Sequence, residues 1–443
     1  MRSASSSTAW LSPRDRLNGD QNKLFPEDRP VHDWYRFVLS FPPHLVRDYL
    51  RRFDLDRRGR VLDPFCGTGT TLVECKKLGV ASVGIEANPM AHLASTVKTD
   101  WSVDPDRLAE SAMEIAEVAI NQLEADGILD NPPLWNCCQP QVPLRTLEPE
   151  AMELLLTSSI SPLPLHKVLV LLERMSRHED EPCFRHQQVA LARELITSIG
   201  NLSFGPEVGV ATAKPDAPVI SAWLARVQSM ANDLRKLRGS GGAPAEVRWG
   251  DSRQLLQILE PASVDGVITS PPYPNEKDYT RTTRLESVLL GLIRSKPELR
   301  ALKHHLVRSN TRSVYTADDD DRRVAHNQDV QQIAEEIETR RIALGKTSGF
   351  ERLYGRVTKL YFGGMARHLD ELRTILRPGA QLAYVVGDQA SYLRVMIRTG
   401  QILGEIAREL GYELVGIDLF RTRRSSATNE ELREEVVLLR WPG

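Results

Sequence analysis

Arg60-Val61-Leu62-Asp63-Pro64-Phe65-Cys66-Gly67-Thr68-Gly69-Thr70-Thr71 is the stretch that decides the fold. Its apolar start reads as a short buried strand running into a turn. Gly67 and Gly69 let the backbone turn tightly at the strand's carboxyl end. A helix follows over 70–78, with Thr71 and Glu74 at capping-box spacing. Ala81 to Glu86 is a second strand that ends in an acid. Strand, glycine turn, helix, strand is the opening of a doubly wound, Rossmann-like α/β sheet. The free N–H groups and partial positive charge at the helix start suit a carboxylate of a ligand. Glu86 lies roughly 20 residues beyond the turn, where an acid accepts ribose hydroxyls. The turn lacks the Gly-Lys-Ser/Thr of a phosphate loop and the third glycine of the dinucleotide fingerprint.

Outward from this unit, strand character returns at 246–249, 264–269, 381–386, 413–420 and 435–441. Between these runs lie helical patterns at 106–123, 149–157, 186–200 and 219–237, and a charged helical stretch over 276–356. Arg377-Pro378-Gly379 reads as the turn that ends a helix before the sheet resumes. The resulting organisation is one sheet split by two helical insertions. A flexible arm covers 1–30, and the sheet domain begins over 31–100. The first insertion covers 101–245. The sheet domain continues over 246–275, a second insertion covers 276–356, and the domain is completed by 357–443. Asp318 to Asp321 reads as a solvated loop.

The cofactor segment resembles that of DNA amino-methyltransferases, enzymes that use S-adenosylmethionine. The resemblance implies a cofactor site built from Asp63, Pro64, Phe65, Cys66, Gly67, Gly69, Thr70, Thr71, Glu86, Asn88, Asp251 and Ser252. In it Phe65, Gly67 and Gly69 line the methionine end and Glu86 holds the ribose. Gly250-Asp251-Ser252 resembles the segment whose acid reads the adenine amino group. Ser40-Phe41-Pro42-Pro43-His44-Leu45-Val46 resembles the helix-forming motif that precedes the glycine turn in that family.

Val267-Ile268-Thr269-Ser270-Pro271-Pro272-Tyr273 follows a strand and so lies at the carboxyl edge of the sheet, where open α/β folds bind ligands. Its residue types fit one chemistry. An exocyclic amine of cytosine or adenine is a poor nucleophile, because its lone pair is delocalised into the ring. Hydrogen bonds from that amine to a rigid acceptor pair draw it toward tetrahedral geometry. The Ser270 hydroxyl and the Pro271 carbonyl form such a pair, and Pro271 and Pro272 fix it in advance. Tyr273 offers a flat face on which a flipped base stacks. By resemblance these four are the catalytic residues. A serine at the first position is typical of cytosine-N4 enzymes in the family, and an acid or Asn of adenine-N6 enzymes.

The segment after the tetrapeptide carries Lys277, Tyr279, Arg281 and Arg284, which suit phosphate contacts and stacking. Arg421, Arg423 and Arg424 read as a basic hairpin loop between the last two strands, which in the related enzymes edges the substrate pocket. The expected partner is duplex DNA with one base flipped, the catalytic domain taking in 31–100, 246–275 and 357–443, the insertion 101–245 being available for target recognition and 276–356 for DNA contacts, and a cognate restriction or defence-system subunit is a second expectation. Alternatives to cytosine-N4 transfer are adenine-N6 transfer, an RNA methyltransferase with the same pocket, and a non-catalytic S-adenosylmethionine- or DNA-binding subunit.

The 443 residues, 41% apolar and 26% charged, have ordinary globular composition. Net charge is −2, so any nucleic-acid surface is local. The sequence has no apolar run near the about 18 residues a membrane helix needs, and Met1 to Thr8 lacks a signal-peptide apolar region. Five cysteines, with Cys137 beside Cys138, suggest a reducing cytoplasm, with the chain on the nucleoid through its DNA. No metal is expected: Cys183 and His186 do not complete a four-ligand set. Cys66 reads as a small apolar filler, since a cytosine-C5 enzyme would need a Pro-Cys nucleophile where Ser270-Pro271 stands.

Overall fold

The computed structural model describes residues 24–36, 40–131, 140–205, 207–239, 242–275, 277–424 and 431–443. Most of the arm at 1–30, together with Cys137 and Cys138, lies outside them. Among the described residues the strands are β1 (Arg60–Asp63), β2 (Ala81–Glu86), β3 (Leu202–Phe204), β4 (Val208–Val210), β5 (Ala245–Trp249), β6 (Val264–Thr269), β7 (Leu376–Gly387), β8 (Glu413–Arg424) and β9 (Glu431–Arg440). The first helices are α1 (Arg29–His32), α2 (Pro43–Arg52), α3 (Thr70–Leu78), α4 (Pro89–Thr99) and α5 (Pro105–Ala125). Next come α6 (Pro149–Met152), α7 (Pro162–Ser176), α8 (Phe184–Glu194), α9 (Ile220–Leu237) and α10 (Tyr279–Thr282). The last are α11 (Arg284–Leu289), α12 (Lys296–His304), α13 (Gln328–Ala343), α14 (Tyr354–Ile375) and α15 (Thr399–Glu409).

Seven strands form one sheet in the order β5-β2-β1-β6-β7-β9-β8. The first five run parallel, and β9 pairs antiparallel with both β7 and β8. Side chains alternate across the short parallel strands. Val61, Ile268 and Val385 face the layer of α2 and α3, while Leu62, Val267 and Val386 face α14 and α15. Both faces are covered, so the strands are near-continuous apolar runs, and this is why they are easy to read in the sequence. The chain leaves β1 toward β2 on one side and resumes at β6 on the other. The ends of β1 and β6 therefore flank the topological switch point, where such sheets bind ligands.

Residues between α4 and β5 pack α5, α7, α8 and α9 into a core that also takes in Met90, Ala94 and Val97 of α4 and Leu285 and Leu289 of α11. The chain around α1 belongs to the same core and is not a loose arm from Leu24 onward. Val31, Trp34 and Tyr35 are buried, the Val31 N–H and Trp34 Nε1–H donate to Asp233, and Arg47 holds Asp28. Three local expectations are corrected. Helix α6 is a single turn: Glu153 still donates to the Pro149 carbonyl, but Leu154 and Leu155 donate only three residues back, to Ala151 and Met152. Arg377-Pro378-Gly379 lies inside β7, as an irregularity between the pairs Val264–Leu376 and Gly266–Gln381, with Gly379 at φ 87°. The capping box is not formed: Gly69 is the N-cap of α3, at φ 81°.

Candidate functional site

The turn after β1 is organised by two carboxylates. Asp63 is fully buried. Its Oδ1 accepts the Thr269 hydroxyl at 2.6 Å and the Phe65 N–H at 3.2 Å, while its Oδ2 has no protein hydrogen-bond partner. Burial pushes this carboxyl up to about 6, against the pull of the Thr269 hydroxyl. Glu86, at the end of β2, accepts the Gly67 N–H at 2.8 Å and the Asn88 N–H at 2.7 Å. Burial raises it to about 7 despite those two donors. Gly67 and Gly69 both have positive φ, and a Cβ on Gly69 would meet Ser95 Cβ at 3.1 Å. Pro64 and Cys66 are buried, and Cys66 presses on β2 where a Cβ on Gly84 would lie 2.8 Å from its Sγ. Burial pushes the Cys66 thiol well up, which suits a space-filling side chain and not a nucleophile.

Thr70 opens α3, and the Thr71 hydroxyl donates to the Ile268 carbonyl at 3.1 Å. It thereby ties α3 to β6 instead of capping the helix. Glu74, the other half of the expected box, faces His32 at 2.8 Å and Arg47 at 2.6 Å. The Asn88 side chain caps α4 through the Met90 and Ala91 N–H groups and donates to Thr283 Oγ1 at 3.1 Å. Asp251 is buried, with both oxygens hydrogen-bonded to Arg253. The Ser252 carbonyl accepts the Nδ1–H of His368 at 2.8 Å, and His368 Nε2 accepts the Tyr384 hydroxyl at 2.7 Å. Burial holds His368 down at about 4, so the ring is neutral at pH 7 and its tautomer is fixed by these two partners. Its ring meets Phe65 edge-on at 4.9 Å.

The tetrapeptide at the end of β6 is seated on β7. The Ser270 hydroxyl lies 3.1 Å from the Val385 carbonyl. A carbonyl can only accept, so Ser270 must donate there, and its lone pairs remain to receive a donor. Pro271 is buried and Pro272 half-buried. The Tyr273 ring lies over Gly387, where a Cβ would come within 2.9 Å of Cε2. Burial pushes the Tyr273 phenol up, and the Tyr279 phenol up to about 12, so both are neutral. The Asp63–Thr269 hydrogen bond joins the β1 turn directly to the residue before Ser270.

The basic residues divide by what already holds them. Arg284 is an internal clamp, donating to the Thr280 carbonyl, the Thr280 hydroxyl and the Leu154 carbonyl. Arg281 is half-buried with no partner on its Nε, and Lys277 is half-buried near Arg423. Arg421, Arg423 and Arg424 are strand residues at the end of β8, not loop residues, because pairing with β9 continues to Arg424–Glu431. Arg421 makes a two-pronged pair with Glu434 at 2.6 and 2.8 Å, and Arg423 approaches the same carboxylate at 3.5 Å. Asp318 and Asp320 do not belong to a solvated loop: they pair with Arg308 and Arg253 respectively. Lys303 and Arg308 are buried with them. Cys183 packs in the helical core, and His186 Nε2 lies 3.2 Å from the Asp100 carbonyl.

Thr269, Val385, Gly387, His368 and Arg253 were not singled out in the sequence. Thr269, Val385, Gly387 and His368 act on residues far along the chain, and Arg253 joins nearby Asp251 to distant Asp320.

The family model described as DNA methylase, that of the N6/N4 methyltransferases, matches residues 7–96. The chain is similar to the type II methyltransferase M.BsoBI of Geobacillus stearothermophilus, at 23% identity over 445 residues, taking in 91% of this chain and 83% of that protein. It is similar to the type II methyltransferase M.AvaI of Nostoc sp., at 22% identity over 437 residues with the same two shares. Among solved structures, the rRNA methyltransferase aviRa from Streptomyces viridochromogenes overlays 98% of this chain and 97% of its own, at 11% identity and a TM-score of 0.32. Among the described residues no helix is long and apolar enough to cross a membrane.

Proposed function

We propose that this chain, a member of the DNA amino-methyltransferase family, transfers a methyl group from S-adenosylmethionine to an exocyclic amine of a DNA base, with cytosine N4 as the target. One observation carries the reaction type: the Ser270 hydroxyl donates its hydrogen bond to the Val385 carbonyl and so presents its lone pairs as acceptors. Beside the Pro271 carbonyl, that is the acceptor pair an aromatic amine needs, held without reorganisation by two prolines and β7.

The residues of the β1 turn fit the cofactor. Asp63 Oδ2 is a buried, unpartnered acceptor beside the glycine turn, suited to an ammonium donor. Glu86 has remaining lone pairs for vicinal hydroxyls, and Asp251 and Ser252 lie at the next strand end for a base. When bound, S-adenosylmethionine supplies an electrophilic methyl group. Ser270 and Pro271 orient the amine lone pair, and Tyr273 gives the flipped base a face to stack on. Ser270, Pro271, Pro272 and Tyr273 include no strong base, so the amine proton is shed to solvent after transfer. Lys277, Tyr279 and Arg281, with Arg423 and Arg424, are the side chains nearest to hand for the substrate strand; Arg284 and Arg421 contribute by holding their neighbours. The two helical insertions are where the target sequence would be read.

The choice of cytosine rests on Ser270, following the family pattern. Duplex DNA and RNA incubated with labelled cofactor, digested and resolved by mass spectrometry, test each part. N4-methylcytosine in DNA is the expected product. N6-methyladenine would overturn the base, label in RNA alone would overturn the polymer, and cofactor binding without any transfer would overturn the enzyme.

A further inference from the structure

The second insertion reaches the cofactor side of the sheet through one guanidinium. Arg253 is 6% exposed. Its Nε and Nη2 donate to the two oxygens of Asp251 at 3.0 and 2.7 Å, its Nη1 donates to Asp320 Oδ2 at 2.7 Å, and its Nη2 donates to the His304 carbonyl at 2.7 Å. Asp320, at 7% exposed, comes from the acidic run of the insertion, and its other oxygen faces Arg367 at 3.5 Å. The contact needs a glycine on α14: a Cβ on Gly363 would fall 1.9 Å from the Asp320 carbonyl. His304 ends α12, so its carbonyl has no helical partner of its own. The same helix end holds the substrate side: Lys303 Nζ donates to Asp278 at 2.8 Å, five residues after Tyr273.

A buried guanidinium with two carboxylates sits between them. With one removed, the whole charge falls on the other and competes for its lone pairs. We propose that Asp320 is a positioning residue for the cofactor site: Asp251 Oδ1 already accepts two Arg253 donors and Oδ2 one, and Asp320 holds Arg253 so that the remaining lone pair of Oδ2 is kept for the cofactor's adenine end. This rests on the assignment of Asp251 to that site.

Calorimetric binding of S-adenosylhomocysteine to the full chain tests it, with Asp251→Asn, Asp320→Asn and the double variant, at a temperature well below each unfolding midpoint. Each single variant should bind about tenfold more weakly, and the double variant should bind no worse than Asp251→Asn alone. Wild-type affinity in Asp320→Asn, even with a lowered unfolding midpoint, overturns the proposal, and so do losses that multiply in the double variant. An Asp251→Asn variant with intact binding would instead remove the site assignment beneath it. If Asp320→Asn does not fold, Arg367→Gln loosens the outer side of the same carboxylate at a position one-third exposed. A smaller weakening is then expected, and none overturns the proposal.

Discussion

The two loops that meet at the switch point are built on different electrostatics. The β1 turn carries carboxylates that burial has pushed into the neutral range, Asp63 to about 6 and Glu86 to about 7, each with acceptor capacity left for a donor. The β6 loop has none. Its acceptors are a hydroxyl whose hydrogen bond is already donated to the Val385 carbonyl and a proline carbonyl, beside a tyrosine that burial keeps neutral. A carboxylate binds through a charge that the ligand must help to stabilise, so its affinity follows pH. A hydroxyl locked as an acceptor works by fixed lone pairs, so its contribution does not. The two loops touch through the Asp63–Thr269 hydrogen bond, yet removing one side should leave the other readable.

The sharpest way to break this division is Ser270→Ala. In the proposed reaction it removes an acceptor for the amine, and it leaves the β1 turn intact. The expected loss is about 10²-fold in kcat or more, comparable to the removal of one preorganised transition-state hydrogen bond. Affinity for S-adenosylhomocysteine should be unchanged, and so should the pH profile. Loss of cofactor affinity in this variant would mean that the two loops are one site energetically.

Glu86→Gln should do the reverse. With a carboxyl at about 7, roughly a tenth of the free chain is ionised at pH 6. A ligand that donates hydroxyl protons to the ionised form then binds about tenfold more weakly at pH 6 than at pH 8. Stability runs the other way: from the ordinary carboxylate value up to about 7 the folded chain keeps a proton that the unfolded chain has released, so burial of Glu86 destabilises progressively as pH rises through that window. The Gln variant should flatten the affinity profile between pH 6 and 8 and lose affinity at pH 8 while kcat holds. Asp63, with its value near 6, should leave a residual slope below that. A pH slope unchanged by Glu86→Gln would place the titrating group elsewhere.

The same contrast explains what was legible in the sequence. β2 and β6 fall on the expected residues, because their β-branched residues (Val83 and Ile85 in one, Val264, Val267 and Ile268 in the other) mark short buried strands. Asp63–Gly69 and Ser270–Tyr273 are contiguous, so each could be read whole. What joins them is not contiguous: Thr269 to Asp63 spans 206 positions, Ser270 to Val385 spans 115, and Ser252 to His368 spans 116. Charge misled for a related reason. Asp318–Asp321 and Arg421–Arg424 have the composition of solvated surface. Only the fold shows that Asp320 meets a buried arginine and that Arg421 meets Glu434 across a strand pair. The Thr71–Glu74 spacing misled because Ile268 and His32, brought in by the sheet and the α1 segment, took over both side chains.

The smallest expected effect tests whether β7 seats the β6 loop. Ser270 and Tyr273 rest on the same strand two residues apart, one on the Val385 carbonyl and the other on the bare backbone of Gly387. A Cβ at Gly387 would stand 2.9 Å from Tyr273 Cε2 and 3.4 Å from Glu434 Cγ, so Gly387→Ala must move the ring edge. No φ penalty arises, since Gly387 is not among the residues with positive φ. Displacing the stacking face by a few tenths of an ångström should lower kcat several-fold and leave cofactor affinity and its pH slope at wild-type values. Tyr273→Phe keeps the ring and the contact, and should stay near wild type. A wild-type rate in Gly387→Ala would show that Tyr273 is not held by β7. The rigidity of the loop would then come from its prolines alone, and the difference between the two loops would reduce to charge.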